Sequence, residues 1–180
     1  MTSFYTEADY ENSVIELFQN MGYRYIYAPE LERDFKSPIY EEELYEALHR
    51  LNTNMPEGAI TDALDKLKNF ENAELVQKNA LFMDYLQHGV EVRYFVEGEE
   101  RSGLVYLVDY NNCDNNSFVV ANQWTFIENS KKRPDVLLFL NGLPIVLVEL
   151  KSPSREETDA SEAYVQIRNY MHEIPSMFIY

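Results

Sequence analysis

The chain has 180 residues, with 31 acidic side chains against 15 basic ones and a formal net charge of −16. Hydrophobic residues make up 46% and aromatics 14%, which excludes a disordered chain and suffices for one substantial core. So large an acidic excess argues against a domain that grips DNA unaided, because duplex affinity comes largely from Lys and Arg neutralising phosphates; the single cysteine, Cys113, excludes an internal disulfide and a cysteine-rich zinc site.

Met1-Thr2-Ser3 opens without a basic-then-apolar signal segment, and no apolar run approaches the roughly 20 residues of a membrane span, so a soluble cytoplasmic protein is expected. Glu7 to Met21 carries Val14, Leu17, Phe18 and Met21 at helical spacing and stops at Gly22, a natural helix end. Tyr23 to Tyr27 reads as a short strand and Asp34 to Pro38 as a loop. A second helix is predicted from about Tyr40 to Leu51, with Leu44, Leu48 and Leu51 on one stripe. Met55-Pro56-Glu57-Gly58 separates it from a third at about Ala59 to Lys68, and a fourth runs from about Asn72 to His88. The apolar stripes of these three helices are packing surfaces, and no chemistry is evident there.

From Val90 the pattern turns to strands: Val90 to Glu97, Gly103 to Asp109 and Phe118 to Glu128, with a turn at Glu97-Gly98-Glu99. Asn111 to Asn116 is a polar loop that superficially resembles a calcium loop but lacks the central Gly and terminal Glu such a site needs. His49, His88 and His172 are scattered without metal-ligand spacing, and Cys113 has no evident histidine partner. Ser152-Pro153-Ser154 leads into a helix from about Glu156 to His172, and Pro175 to Tyr180 is expected to begin a further strand, making the chain a fragment of something longer. The fold class is α/β, a mixed β-sheet flanked by helices. One domain spans 1–180, with a helical insertion at about 38–88 and a core at about 5–27 and 90–180.

The chemistry lies between Pro134 and Lys151. Two very apolar strands meet at Asn141-Gly142, a dipeptide suited to the positive φ angles of a two-residue hairpin turn, so Asp135 and Glu149 come together at the open end. Side-chain alternation places Glu149 and Lys151 on one face and leaves the Leu150 backbone carbonyl near the acids. Two carboxylates and a carbonyl suit Mg2+, a hard cation with oxygen ligands, and a neighbouring ammonium can orient a water and stabilise developing charge. A hairpin with merely solvated charged ends would carry the same Glu-x-Lys pattern.

The run Arg133-Pro134-Asp135 through Lys151 resembles motifs II and III of the PD-(D/E)xK nucleases, and specifically the nuclease domain at the start of type I restriction endonuclease R subunits. Asn79, His88-Gly89-Val90, Val108 to Asn112, Asn115 to Phe118 and Asn122-Gln123 resemble the run that precedes the signature, and Gln166 with Tyr170 match the family's Gln-x-x-x-Tyr motif. The resemblance covers about residues 7–180. It implies a restriction-endonuclease-like fold and Mg2+-dependent cleavage of double-stranded DNA, with Mn2+ able to substitute. In that reading Asp135 and Glu149 are metal ligands with the Leu150 carbonyl, Lys151 assists the attacking water, and Gln166 and Tyr170 support the site. Members of the superfamily often add an acid from the first helix; Glu11 is the choice here over Glu7 and Glu16. Lys131, Lys132 and Arg133, beside Asp135, are candidate DNA contacts.

The resemblance further implies methyltransferase (M) and specificity (S) subunits as partners, and defence against foreign DNA as the role. S-adenosylmethionine and ATP would serve only the holoenzyme, the ATP driving a translocating motor. No Walker-type phosphate loop occurs in this chain. The alternatives are a docking module that keeps a nuclease fold without catalysis, and a repair or RNA nuclease built on the same core.

Overall fold

Thr6 and Asp9 open the first helix by exchanging bonds. The Asp9 N–H donates to Thr6 Oγ1 at 3.3 Å and the Thr6 N–H to Asp9 Oδ2 at 2.7 Å, satisfying amides that no helical carbonyl reaches. This computed structural model describes residues 6–71, 74–151 and 160–180. The helix so capped, α1 (Glu7–Asn20), stops before Gly22, whose φ is +96°. It is followed by β1 (Arg24–Tyr27), α2 (Glu41–Leu51), α3 (Glu57–Lys68), α4 (Leu75–His88), β2 (Val90–Val96) and β3 (Glu99–Val105). Then come β4 (Phe118–Asn122), β5 (Phe126–Ile127), β6 (Lys131–Lys132), β7 (Val136–Leu140), β8 (Leu143–Val148) and α5 (Ala160–Glu173). The α/β class is as the sequence predicts. No helix among the described residues is long and apolar enough to cross a membrane.

The residues divide between two compact units, the first comprising Met1–Pro38, Phe118–Phe139 and Pro144–Met177. Its mixed four-stranded sheet has the order β1-β4-β7-β8. β1 runs parallel to β4, from Arg24 beside Val119 to Tyr27 beside Asn122. The Asn141 N–H, just past β7, donates to the Ser117 carbonyl, just before β4, at 2.9 Å. The two strands are therefore antiparallel, and the end of β4 lies with the start of β7. Helix α1 lays Ile15 on Val120, Val136 and Leu138, with Val14, Phe18 and Val148 packed around them, the burial that holds helix to sheet. At the end of β4 the fully buried Trp124 packs against Phe139, and the Arg33 guanidinium stacks 3.9 Å above the Trp124 ring.

The second unit comprises Ile39–Ser117, Leu140–Leu143 and Phe178–Tyr180. It takes in the helical segment expected at 38–88 and extends further, to the hairpin β2–β3 and the tip of the β7–β8 hairpin. Leu44 and Leu48 of α2, Ile60 and Leu67 of α3, and Val90, Val92 and Val105 of β2 and β3 are all fully buried.

Several boundaries differ from those the sequence predicts. β3 is Glu99–Val105, not Gly103 to Asp109, because it pairs antiparallel with β2 from Val96 beside Glu99 to Val90 beside Val105. β2 begins there, and the next amide, Tyr106, donates instead to the Asn52 side chain. The single strand expected from Phe118 to Glu128 is broken after Asn122, where Gln123 takes a left-handed φ of +57° and the buried Trp124 follows. Pro175–Phe178 is a 3-10 turn rather than a strand, its Met177 buried and donating to Ile174. Helices α4 and α5 are described from Leu75 and Ala160; the expected starts at Asn72 and Glu156 lie outside the described residues.

The Asn141-Gly142 turn adopts the conformation the dipeptide favours, with φ of +51° and +80°. It is also fully buried. Asn141 Oδ1 accepts from the Ser117 N–H at 2.8 Å, and Nδ2 donates to the Leu107 carbonyl at 2.8 Å and to Asn116 Oδ1 at 2.9 Å. Gly142 sits against the start of α2, where its carbonyl accepts from the Tyr40 N–H at 2.9 Å. A Cβ at 142 would meet the Leu44 nitrogen at 2.4 Å and the Tyr40 carbonyl oxygen at 2.6 Å.

Gly142→Ala is therefore expected to destabilise the protein by about 3 kcal/mol or more, through backbone collision and positive φ together. Asn141→Ala is expected to cost about 2–3 kcal/mol by stranding buried polar partners. Equilibrium denaturation measures both, and an unchanged midpoint for Gly142→Ala would show that the first turn of α2 can retreat without loss.

Candidate active site

Asp135 precedes β7 and Glu149 follows β8, so the hairpin presents both from its open end. The Leu150 N–H donates to Asp135 Oδ2 at 2.6 Å, tying the two strand ends together. Lys151 Nζ donates to Glu149 Oε1 at 2.8 Å and to Gln166 Oε1 at 2.6 Å. Gln166 Nε2 donates onward to the Tyr170 hydroxyl at 2.8 Å, one helical turn along α5. The structure thus joins Glu149, Lys151, Gln166 and Tyr170 in one hydrogen-bonded chain.

The Glu149 side chain is only 2% exposed, yet its Oε2 is buried without a hydrogen-bond partner. A buried carboxylate oxygen left bare is costly unless something cationic meets it. Asp135, half-buried, is pushed up to about 6, first by burial and then by the charges of Glu149 and Glu7, against the lowering effect of the Leu150 N–H. For Lys151, burial lowers the pKa, but the bond and charge of Glu149, helped by Asp135 and Glu7, outweigh it and leave the group raised. The side chain is a stable ammonium. Tyr170 is pushed up to about 12, chiefly by burial and then by Glu149, and stays a neutral phenol. Among the described residues no group of three or more His, Cys, Asp and Glu could hold a metal ion. Any cation here would rest on the two acids and a neutral oxygen.

The acids of α1 take separate places. Glu11 Oε1 accepts from Asn122 Nδ2 at 2.5 Å and, more weakly, from Gln123 Nε2 at 3.4 Å, while Tyr25 holds the other end of the Asn122 amide at 3.0 Å. The charge of Glu7 contributes to raising both Asp135 and Lys151. Glu16 is exposed. Of the three basic residues before Asp135, Lys131 and Arg133 are exposed, whereas Lys132 is ion-paired with Glu173. Glu173 was not legible as a partner from local pattern, although it continues the α5 stripe of Gln166 and Tyr170 at a further three residues. At the entrance to the polar loop, Asp109 Oδ1 accepts from the Asn111 and Asn112 N–H groups, an Asx-type turn.

The family model for the type I restriction enzyme R protein N terminus matches residues 4–180. The type I restriction enzyme HindI endonuclease subunit of Haemophilus influenzae is 34% identical over 97% of this chain, which spans 17% of that protein. The type I restriction enzyme EcoprrI endonuclease subunit of Escherichia coli is 26% identical over 95% of this chain, which spans 51% of it.

Burial and Glu149 raise Asp135, so the folded protein is destabilised by the ionised form above about pH 6, while below about pH 4 the acid is neutral folded or unfolded. Asp135→Asn keeps an oxygen for the Leu150 N–H. In chelator-treated protein it is expected to stabilise by about 1–2 kcal/mol at pH 8, after discount for partial exposure, and to confer nothing at pH 4. Thermal unfolding across that range measures the difference; a gain independent of pH would remove the electrostatic cause.

Proposed function

This chain belongs to the type I restriction enzyme R protein N-terminal family, and from that premise we propose that it is a Mg2+-dependent DNA endonuclease domain hydrolysing phosphodiester bonds. The observation that carries the proposal is the buried, unpartnered Oε2 of Glu149 beside Asp135 and within the Lys151–Gln166–Tyr170 chain. Asp135, Glu149 and the Leu150 carbonyl, whose own N–H already bonds Asp135, are the donors that would hold the ion. When bound, the cation supplies Lewis-acid polarisation of the phosphate and neutralises its charge. Mn2+, also a carboxylate-seeking ion, fits the same donors.

The side chains do the rest. Asp135 gives up its proton to bind, which its position near 6 permits at neutral pH. Lys151 uses two of its three N–H bonds on Glu149 and Gln166 and keeps the third for a phosphate oxygen or the attacking water. As a stable ammonium it acts by donation and charge rather than as a base. Gln166 fixes its direction, and Tyr170 fixes Gln166.

The wider role is proposed on the same footing. The remainder of the longer protein supplies the ATP-driven motor, M and S subunits choose the site with S-adenosylmethionine as methyl donor, and cutting of unmodified double-stranded DNA follows translocation in the cytoplasm.

Calorimetric titration of Mg2+ and Mn2+ into the protein should show binding that Asp135→Ala and Glu149→Ala both abolish. In the full-length R subunit assembled with M and S subunits and supplied with ATP and S-adenosylmethionine, Glu149→Gln and Lys151→Ala should each slow plasmid cleavage by at least about 100-fold. Cleavage that survives Glu149→Gln would refute the assignment, and a folded parent that neither binds the ions nor cuts DNA would favour a docking module.

A further inference from the structure

Beside the acids, a groove of about 540 Å³ runs along α5, lined by Lys151, Gln166, Tyr170, Asn169, Lys132 and Glu162. The nuclease reading uses only its first three residues. Lys132, at its far side, is not a freely solvated lysine: its side chain is 27% exposed, it is ion-paired with Glu173, and Nζ lies 5.9 Å from the centre of the Tyr170 ring. Glu173 is itself held, accepting from Ser130 Oγ at 2.9 Å, and its carbonyl accepts the Asn129 N–H at 3.1 Å. The β5–β6 turn is thereby fastened to the end of α5, and Lys132 is carried on a fixed base. Lys131 and Arg133, on either side in sequence, are exposed.

We infer that Lys132 and Asn169 hold the DNA phosphate next to the scissile one, with Glu173 retaining the Lys132 ammonium until the phosphate takes its place. This rests on the nuclease reading above and names a substrate contact within it. Asn169 stands about one helical turn, 5–6 Å, from the Gln166 contact of Lys151, a step comparable with that between successive phosphates of one strand. Lys132 supplies charge and Asn169 a neutral donor to the same group. A cation already confined loses little freedom when an anion arrives.

The test uses the full-length R subunit assembled with its M and S subunits, supercoiled unmodified plasmid, Mg2+, ATP and S-adenosylmethionine over a salt series, with Asp135→Ala as control. Lys132→Ala should nick about tenfold more slowly at low salt, the deficit narrowing as salt rises because one counterion-releasing contact is gone. Asn169→Ala should fall in the same direction by less, Lys132→Arg should recover most of the rate, and Glu173→Gln should nick at least as fast as the parent. Equal losses in Lys132→Ala and Glu173→Gln, with the parent's salt dependence, would mean that the pair only fastens the turn and would overturn the inference. So would a Lys132→Ala rate equal to the parent's while Asp135→Ala is inactive. Nicking that persists in Asp135→Ala would instead bring down the nuclease reading and this inference with it.

Discussion

Two neighbouring carboxylates, Asp135 half-buried and Glu149 with its side chain buried, form the constraint around which the first unit is arranged. Their mutual repulsion and their desolvation both oppose folding, and the neighbouring groups answer those terms one by one. The Leu150 amide meets one acid, the Lys151 ammonium meets the other, and Gln166, itself bonded to Tyr170, accepts from that ammonium. One oxygen is left over. A protein selected only for stability would replace such a pair with apolar residues of similar size; its presence supports the metal-binding role proposed for it.

The rest of the charge distribution fits a domain that handles a polyanion without embracing it. Lys66 is engaged by Asp62, Lys151 by Glu149 and Lys132 by Glu173, so at these places positive charge is presented beside a carboxylate. Broad, nonspecific attraction to DNA is weak under such conditions. The contact proposed for the groove beside the hairpin is local and short for that reason.

The hairpin was legible in the sequence because its signals are local: two apolar runs, an Asn-Gly turn and acids at fixed offsets need no knowledge of distant neighbours. The helices with clear stripes, α1 to α3, were legible for the same reason, and the family resemblance made through these residues is confirmed by the match across residues 4–180. What failed depended on long-range geometry. The true span of β3 is set by its partner β2, since Glu99 to Ser102 carry no apolar periodicity of their own. The break after Asn122 follows from where Trp124 must be buried, and the turn at Pro175 from the burial of Met177, neither of which local propensity records. Periodicity alone does not rank Glu7, Glu11 and Glu16, because all three belong to one helix.

Asn141 has one more consequence, and it concerns the lifetime of the molecule. In a mobile chain an Asn-Gly pair is prone to cyclise, the following backbone nitrogen attacking the side-chain amide carbon and expelling ammonia, after which water opens the ring to aspartate or its isomer. Here the amide is pinned by Ser117, Leu107 and Asn116, and the peptide is locked against the start of α2, so the attacking geometry is out of reach while the fold persists. Each excursion to the unfolded state removes that protection. Conversion there would put a buried anion against the Leu107 carbonyl and the Asn116 oxygen, a substitution the refolded turn cannot accommodate. Chemical ageing of this protein is thus gated by its unfolding rate, and prolonged unfolding turns a reversible transition into a permanent one.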